Sequence, residues 1–334
     1  MSDLTFICEW GQSHQGKLDL AIRQAQTAHD AGWTFSKWQM FETKNLVSRE
    51  AKRYWDPELG GHESQFDTFE ANGHLTTADW YELKAFCDSI GHGFLATPFD
   101  LPSVDLLEDL GATHYKIASG DVTWRQLLVR VAQTGKPVFL STGAANPREI
   151  YRALDWVAGC HVSLMMCSLA YPTKAEDANL ARIEGLSGFP VSAIGISDHT
   201  LQLETAFGAA LLGATVFERH ATLNRGGPVP DDNMAVTPAE LKEYCRLAHL
   251  GAAMKGTPYP GCSPAEEAAR VGARRSLHAA KYFRRGHVFA DGDFCALRPG
   301  DGSYEPADVD KLVGRKAARP IRVGTKLTSE DVCG

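Results

Sequence analysis

The chain lacks the features that mark membrane, secreted and nucleic-acid-binding proteins. Its 334 residues contain no apolar run long enough to span a bilayer, and the opening residues MSDLTFICEWG have the pattern of a strand rather than of a signal peptide. The net charge is -7, and basic residues cluster only in the pairs Arg274-Arg275 and Arg284-Arg285. We therefore expect a cytoplasmic protein that binds neither membranes nor nucleic acid, and any anion that it binds must be held by a local site.

Cysteine spacing also excludes several classes of protein. The eight cysteines include no CxxC pair and no spacing typical of a zinc knuckle, while Cys8 and Cys167 lie inside apolar runs. Such residues behave as small buried hydrophobic groups in a reducing compartment. We predict neither disulfides nor a cysteine-bound metal.

A regular alternation of two patterns runs through the first three quarters of the chain. Apolar runs bounded by turn residues recur, and nearly every one is followed by a segment of helical periodicity. The runs begin near Leu4, Trp33, Gly93, Thr113, Pro137, Val162, Val191 and Thr215. Eight strand-helix repeats predict a closed (β/α)8 TIM barrel, an α/β fold, over residues 1–254. Residues 42–75 form a long insertion after the second strand, and such loops are usually functional.

The chain changes character after the barrel. Residues 255–275 are rich in glycine and proline and are interpreted as a linker. Short β-like pieces separated by turns follow. We predict a separate small β-rich domain over residues 276–334.

Two histidines occupy corresponding places in the last two repeats. His199 and His220 each follow an apolar run, and a segment of helix length separates them. Because reactive groups gather at the carboxyl ends of parallel strands, the two imidazoles are expected to come together and to suit a divalent metal with open positions. The alternative is that either histidine is an ordinary core or capping residue.

Polar residues also follow the other predicted strands. Lys37 and Gln39 are two residues apart and therefore project from one face of the second strand. A lysine turned into a barrel needs a partner, and an anionic ligand is a natural one, although a buried lysine more often forms an ion pair. The remaining candidates at strand ends are Glu9, Thr97, Lys116, Ser119, Asp121 and Ser141. Lysines combined with hydroxyl groups and glycine amides predict a site for a small phosphorylated acid.

The order of these motifs resembles the sialic acid synthase family, which makes N-acetylneuraminic, legionaminic and pseudaminic acids and carries a C-terminal antifreeze-like (SAF) domain. The family motifs AEIGxNHxG, KFQTF, YKIxSGD, LSTGM, CTSxYP, YSDHT, EKHFTLD and PGPDH are similar, in order, to CEWGQSHQG, KWQMF, YKIASGD, LSTGA, CSLAYP, ISDHT, ERHATLN and PVPDD. The segment ARRSLHAAKYFRRGHVFADGDFCALRPGDG is similar to the SAF segment that ends in KRPGxG. The resemblance covers nearly the whole chain.

The resemblance implies a reaction. Phosphoenolpyruvate condenses with the open-chain aldehyde of an N-acylated hexosamine, water adds at C2 of the enolpyruvyl group, and C–O cleavage releases phosphate. A divalent metal, typically Mn²⁺ with Mg²⁺ or Co²⁺ possible, would be held by His199 and His220 and act as a Lewis acid. Phosphoenolpyruvate would be bound by Lys37, Thr97, Lys116, Ser119 and Ser141. The catalytic residues would be Gln39, Glu9, Lys37 and Lys116.

The family pattern also implies how the acceptor sugar is held. Asp121, Tyr171 and Asp231 would face the sugar, and Arg298 would reach its acyl group from the SAF domain of a partner chain. The expected assembly is a domain-swapped homodimer, and the expected partners are two small-molecule substrates.

Several positions depart from the family pattern on the acceptor side. They are Ser13 for Asn, Ile196 for Tyr, Val229 for Gly, Asp232 for His and Ala235 for Ser. Leu169, which stands for Ser or Asn, departs on the donor side instead, because relatives use that side chain near phosphoenolpyruvate. The lysines and histidines of the donor and metal sites are kept. This contrast predicts that condensation is retained on an atypical acceptor sugar.

Two other functions stay open at this point. One is a metal-dependent aldolase or isomerase that does not use phosphoenolpyruvate. The other is a degenerate synthase that binds sugars or regulates a partner, for which Leu169 and Ser13 are the reasons.

Overall fold

The chain folds into two compact units. A computed structural model describes residues 4–334. One unit ends at Gly256, and the other spans Thr257–Gly334. Within the described residues, no helix is long and apolar enough to cross a bilayer. All eight cysteines are free thiols.

The first unit is built on eight parallel strands that follow one another around a barrel. The strands are β1 Thr5–Gly11, β2 Phe35–Met40, β3 Gly93–Pro98, β4 Tyr115–Ile117, β5 Val138–Ser141, β6 Val162–Cys167, β7 Ala193–Asp198 and β8 Val216–His220. Hydrogen-bonded ladders join neighbours in the order β3-β2-β1-β8-β7-β6-β5-β4. β3 and β4 also lie side by side, which closes the circle. The predicted (β/α)8 TIM barrel is confirmed.

One helix follows each strand on the outside of the barrel. These helices are α1 Leu18–Asp30, α4 Thr77–Ser89, α5 Leu101–Asp109, α6 Arg125–Ala132, α7 Pro147–Trp156, α8 Arg182–Leu186, α9 Glu204–Leu211 and α10 Pro238–Lys255. Two short helices, α2 Thr43–Leu46 and α3 Gln65–Ala71, lie in the insertion after β2. Their starts follow local chemistry. Thr76 and Asp79 form a capping box at α4, and Pro147 and Pro238 occupy the first turns of α7 and α10.

The barrel interior has an apolar floor and a polar upper end, and strand periodicity creates both. Ile7, Phe35, Leu95, Phe139, Met165 and Val216 form one buried cluster. Side chains two residues apart on a strand share a face, so the next inward positions belong to the upper layer. Those positions are Glu9, Lys37, Thr97, Ser141, Cys167 and Glu218. The sequence therefore places its chemistry on a packed, rigid base.

The insertion after β2 is ordered and packs on the barrel. It contains α2, α3 and a 3-10 turn at Pro57–Leu59. Trp55 and Leu59 form an apolar cluster with Met234 from the segment after β8. The insertion therefore packs against the segment that follows β8, the last strand of the barrel.

The second unit is small and β-rich. It contains α11 Glu267–Ala273, β9 Ser276–Ala279, β10 Phe294–Leu297, α12 Val309–Leu312, β11 Lys316–Ala317 and β12 Val332–Cys333. β9 pairs with β10 and β11 with β12, both antiparallel. Phe283, Phe289 and Leu327 belong to a core of its own. The segment 255–275 was predicted as a linker, but it contains α11, because its run AEEAAR consists of strong helix formers.

Candidate active site

A cavity of about 400 Å³ opens at the carboxyl ends of the barrel strands. It brings together most of the residues that the sequence singled out. These residues are Glu9, Lys37, Gln39, Thr97, Lys116, Ser119, Asp121, Ser141, Tyr171, His199, His220 and Asp231. Arg298 belongs to the second unit, where it lies exposed directly after β10.

Lys37 is held by three neighbours at the floor of the cavity. Its ammonium group donates a hydrogen bond of 2.9 Å to Thr97 Oγ1 and forms an ion pair with Glu9. Glu218 Oε1 lies 3.6 Å from the same nitrogen. Burial alone would lower the pKa of Lys37, but the two carboxylates raise it above its ordinary value, so the group is charged.

Lys116 is held similarly on the other side of Glu218. Its nitrogen donates to Ser141 Oγ at 2.8 Å and lies 3.4 Å from Glu218 Oε2. Burial lowers the pKa of Lys116, and Glu218 only partly offsets this effect. The two lysines therefore flank one buried carboxylate.

These carboxylates are the partners of the two buried lysines. The sequence left two kinds of partner open, an anionic ligand or an ion pair, and Glu9 and Glu218 form ion pairs with Lys37 and Lys116. Their side chains are almost completely buried. A bare ammonium group in such a place would be costly, and the two carboxylates remove this cost.

Hydroxyl and amide groups complete this half of the cavity. Ser119 Oγ accepts a hydrogen bond of 2.9 Å from the Gly143 amide, which joins the ends of β4 and β5. Gln39 Nε2 donates to Glu9 Oε1 at 3.2 Å. The Gln39 side chain is thereby fixed on the cavity wall.

The two histidines face each other across the last strands. The centroids of the His199 and His220 rings lie 5.4 Å apart. His199 Nδ1 lies 2.9 Å from the Ser168 carbonyl oxygen, and because a carbonyl only accepts, Nδ1 carries a proton and Nε2 is the atom that could bind a metal. Burial lowers the pKa of His199, but the Cys167 side chain and the Ser168 carbonyl oxygen raise it to about 9, so a metal would displace a proton from Nε2. Burial first, and neighbouring positive groups second, hold the pKa of His220 well below its usual value, so this imidazole is neutral.

The imidazoles fit a divalent metal with open positions. Neutral imidazole is the form that binds metal, and a hydrogen bond from the far ring nitrogen is the usual support for a histidine ligand. Within residues 4–334, no group of three or more His, Cys, Asp or Glu side chains is arranged as a metal cage. The protein would thus supply two nitrogen ligands and leave the other positions to substrate and water.

Two carboxyl groups at the wall of the cavity have pKa values raised to about 7. Burial raises the pKa of Asp121 to about 7, and its Oδ2 finds no hydrogen-bond partner among residues 4–334. Burial, and then the charge of Glu9, raise the pKa of Asp231 to about 7. Asp231 Oδ2 lies 3.6 Å from His220 Nδ1.

An apolar wall faces the charged half of the cavity, and the sequence did not predict it as a whole. The insertion contributes Tyr54 and Trp55, the segment after β6 contributes Leu169, and the segment after β8 contributes Val229. Leu169 is 37% exposed and so presents a bare hydrocarbon surface. The cavity therefore combines a charged pocket with an apolar one.

Glu218 is the most important residue that the sequence reasoning left out of the site. The signal was available, because Glu218 stands two residues before His220 on one strand and shares its face. The same spacing relates Ser197 to His199, and Ser197 also lines the cavity. Tyr54 and Trp55 gave no such signal, because their place depends on packing between distant segments.

Comparisons with known proteins identify the family of the chain. Residues 24–258 match the NeuB family, and residues 274–332 match the SAF domain. An N,N'-diacetyllegionaminic acid synthase from Campylobacter jejuni is 34% identical over 310 residues, which cover 90% of this chain and 92% of that protein. An uncharacterized protein from Methanocaldococcus jannaschii is 35% identical over 89% of this chain and 85% of its own length.

A solved structure is similar in three dimensions. The N-acetylneuraminic acid (sialic acid) synthetase from Leptospira borgpetersenii, crystallised with citrate, gives a TM-score of 0.71 at 27% identity. The match covers 80% of this chain and 90% of that one. The resemblance read from the motifs is confirmed, and the chain belongs to the NeuB family.

Proposed function

We propose that this chain condenses phosphoenolpyruvate with the open-chain aldehyde of an N-acylated hexosamine to give a nonulosonic acid and phosphate. The chain is an enzyme, a carbon-carbon bond-forming synthase of the NeuB family. One observation carries the finer proposal. Two lysines, each hydrogen-bonded to a hydroxyl group, share one cavity with a pair of imidazoles.

The donor would lie over the lysine half of the cavity. Lys37 with Thr97, and Lys116 with Ser141, offer ammonium and hydroxyl donors at fixed positions for phosphate and carboxylate oxygens. Ser119 lies just after β4, the strand that carries Lys116. These groups hold the donor without reorganising, since each is already anchored by a second contact.

The charges of the cavity explain why a dication would be needed. Lys37 and Lys116 are offset by Glu9 and Glu218, so the chain itself brings little net positive charge to this place. Phosphoenolpyruvate carries close to three negative charges near neutrality. A divalent cation, for which Mn²⁺ is the proposed choice, would be held by His199 and His220. When bound, it would supply the main counter-charge and polarise the acceptor's aldehyde oxygen.

Asp121 is suited to handle a proton at the acceptor. A carboxyl group with a pKa raised to about 7 by burial holds a proton in a fraction of molecules at neutral pH. Its Oδ2 atom has no hydrogen-bond partner among residues 4–334, so the group is free to meet the substrate. Asp121 can donate a proton to the oxygen that becomes a hydroxyl group as the carbon-carbon bond forms.

The apolar wall bears on the identity of the acceptor. Leu169 and Val229 offer no hydrogen bond to a sugar hydroxyl group, and Trp55 presents an aromatic surface beside them. A buried hydroxyl group without a partner costs free energy, so a sugar that carries apolar substituents fits this wall better than a fully hydroxylated one. We therefore propose an acceptor other than plain N-acetylmannosamine.

We also propose that the active enzyme is a domain-swapped homodimer. Arg298 is exposed at the end of β10 and makes no side-chain hydrogen bond within residues 4–334. A guanidinium group in this state is available to a ligand or a second chain.

The test is an assay of phosphate release from phosphoenolpyruvate with a panel of N-acylated hexosamines, with Mn²⁺ and with a chelator. The expected result is metal-dependent release that requires a sugar, and a rate that is not highest with N-acetylmannosamine. Sugar conversion without phosphate release would favour an aldolase or isomerase. Calorimetric binding of a sugar without any turnover would favour a binding or regulatory protein.

A further inference from the structure

A short turn after β8 carries one carboxyl group at the cavity wall and a second one outside the cavity lining. The turn is the 3-10 segment Pro230–Asn233. Asp231 lines the cavity, whereas the next residue, Asp232, is only 2% exposed. Asp232 Oδ1 accepts a hydrogen bond from the hydroxyl group of Ser13, which lies in the loop after β1. One buried contact therefore ties the segments that follow the first and last strands of the barrel.

Space for the Asp232 carboxylate is provided by a missing side chain. A β-carbon placed on Gly227 would lie 2.3 Å from Asp232 Oδ2, which is closer than non-bonded atoms approach each other. The carboxylate thus occupies a volume that only glycine leaves open. Its position is defined on one side by the Gly227 backbone and on the other by the Ser13 hydroxyl group.

The turn is also anchored through Asn233, the residue after Asp232. Asn233 Nδ2 donates a hydrogen bond of 2.8 Å to the Leu59 carbonyl oxygen in the insertion. Asn233 Oδ1 accepts one of 3.1 Å from the Gly226 amide. Asp232 and Asn233 are thus both fixed by hydrogen bonds, and Asp231, which precedes them, lines the cavity.

We propose that Ser13 is a positioning residue for the acceptor sugar, because its hydrogen bond to Asp232 fixes the turn that presents Asp231. Ser13 itself is absent from the cavity lining, so its effect passes through the turn. The part of this inference that concerns the sugar rests on the proposed function. The part that concerns the turn does not.

Hydrogen exchange tests the mechanical part without any substrate. Three amides report on the turn, those of Asp232, Met234 and Ala235, which are hydrogen-bonded to Val229 or Asp231 carbonyl oxygens. In Ser13→Ala, a buried carboxylate oxygen loses its donor, and these amides should exchange about tenfold faster. Equal exchange in Ser13→Ala and in the unmodified protein would overturn the inference.

A matched control separates this effect from a general loss of stability. Ser36 is a buried serine whose hydroxyl group contacts Trp10 and His92, outside the cavity. Ser36→Ala removes one buried serine hydroxyl group, as Ser13→Ala does. It should leave exchange of the three amides at the unmodified rate.

Kinetics test the part that concerns the sugar. Ser13→Ala should raise KM for the acceptor about tenfold while KM for phosphoenolpyruvate stays within about twofold, since one hydrogen bond corresponds to roughly a tenfold effect. Asp232→Asn keeps an oxygen that can accept from Ser13 and should stay close to the unmodified enzyme in acceptor KM. An equal rise of both KM values in Ser13→Ala would overturn the assignment.

The outcomes also separate this inference from the proposed function. If the unmodified protein fails to condense phosphoenolpyruvate with any of the sugars, the proposed function fails. The exchange rates still decide whether Ser13 fixes the turn. If the unmodified protein is active and Ser13→Ala keeps its acceptor KM, the proposed function stands and the inference fails.

Discussion

Replacing Asp121 with asparagine should make the protein more stable at pH 8 and leave its stability nearly unchanged at pH 4. Burial raises the pKa of this carboxyl from 3.8 to about 7, and Oδ2 has no hydrogen-bond partner among residues 4–334. The unfolded chain releases the proton near pH 4, whereas the folded chain holds it until about pH 7. Ionisation therefore destabilises the folded state above that range, and asparagine, which cannot ionise, removes the penalty.

The size of the effect follows from the pKa difference. A rise from 3.8 to about 7 corresponds to a ceiling of about 4 kcal/mol at high pH. Asp121 is partly exposed, so screening by solvent reduces this to about 1–3 kcal/mol. The penalty is absent below about pH 4, grows between pH 4 and 7, and is complete above about pH 7.

Urea unfolding of both proteins at several pH values between 4 and 8, in the presence of a chelator, measures this difference. Asp109→Asn is the control, because Asp109 is an exposed aspartate at the end of α5. The stability gain of Asp121→Asn should grow with pH, and Asp109→Asn should show no such trend. A gain that is the same at pH 4 and pH 8, or a loss at pH 8, would refute the reasoning.

Further predictions follow from the charged half of the cavity and from the proposed dimer. Lys37→Met should reduce phosphate release at least about 100-fold, and a fully active variant would contradict this. Because Glu9 is left unpaired, the same variant should lower the free energy of unfolding by about 3 kcal/mol, as measured by urea titration. His220→Asn should weaken Mn²⁺ binding, measured by calorimetry, by more than the roughly 10- to 100-fold that follows loss of a residue supporting a ligand, because His220 would bind the metal itself, and unchanged affinity would remove this histidine from the metal site. Equal mixing of inactive Lys37→Met and Arg298→Ala chains, after exchange of subunits, should restore about a quarter of the activity if Arg298 acts on the partner's barrel. No recovery in confirmed mixed dimers would place Arg298 in its own chain's site.

The barrel and much of its site could be predicted from the sequence because both depend on short periodicities. Strand runs and helical runs alternate, and the count of eight fixed the architecture. On β2, the spacing of two residues placed Lys37 and Gln39 on one face, and both line the cavity. The same rule puts Glu218 and His220 on one face of β8, and both line the cavity.

Contacts between distant segments could not be predicted in this way. The ion pair of Lys37 with Glu9 depends on the register of β1 against β2, so each strand taken alone could predict that the lysine needs a partner but not that Glu9 is that partner. Ser13 and Asp232 were noted separately as departures from the family pattern, and only the folded chain shows that they touch. The wall formed by Trp55 and Leu169 likewise depends on where the insertion packs.

The most direct test of the central claim is to follow the donor's carbon atoms. The purified protein is incubated with Mn²⁺, phosphoenolpyruvate labelled with ¹³C at every carbon, and a panel of N-acylated hexosamines, and the products are identified by mass spectrometry. The account predicts a keto acid whose mass equals that of the sugar plus one pyruvic acid unit in which every carbon is labelled, formed together with phosphate. Labelled pyruvate as the only product, or labelled phosphoenolpyruvate recovered intact with every sugar, would contradict it.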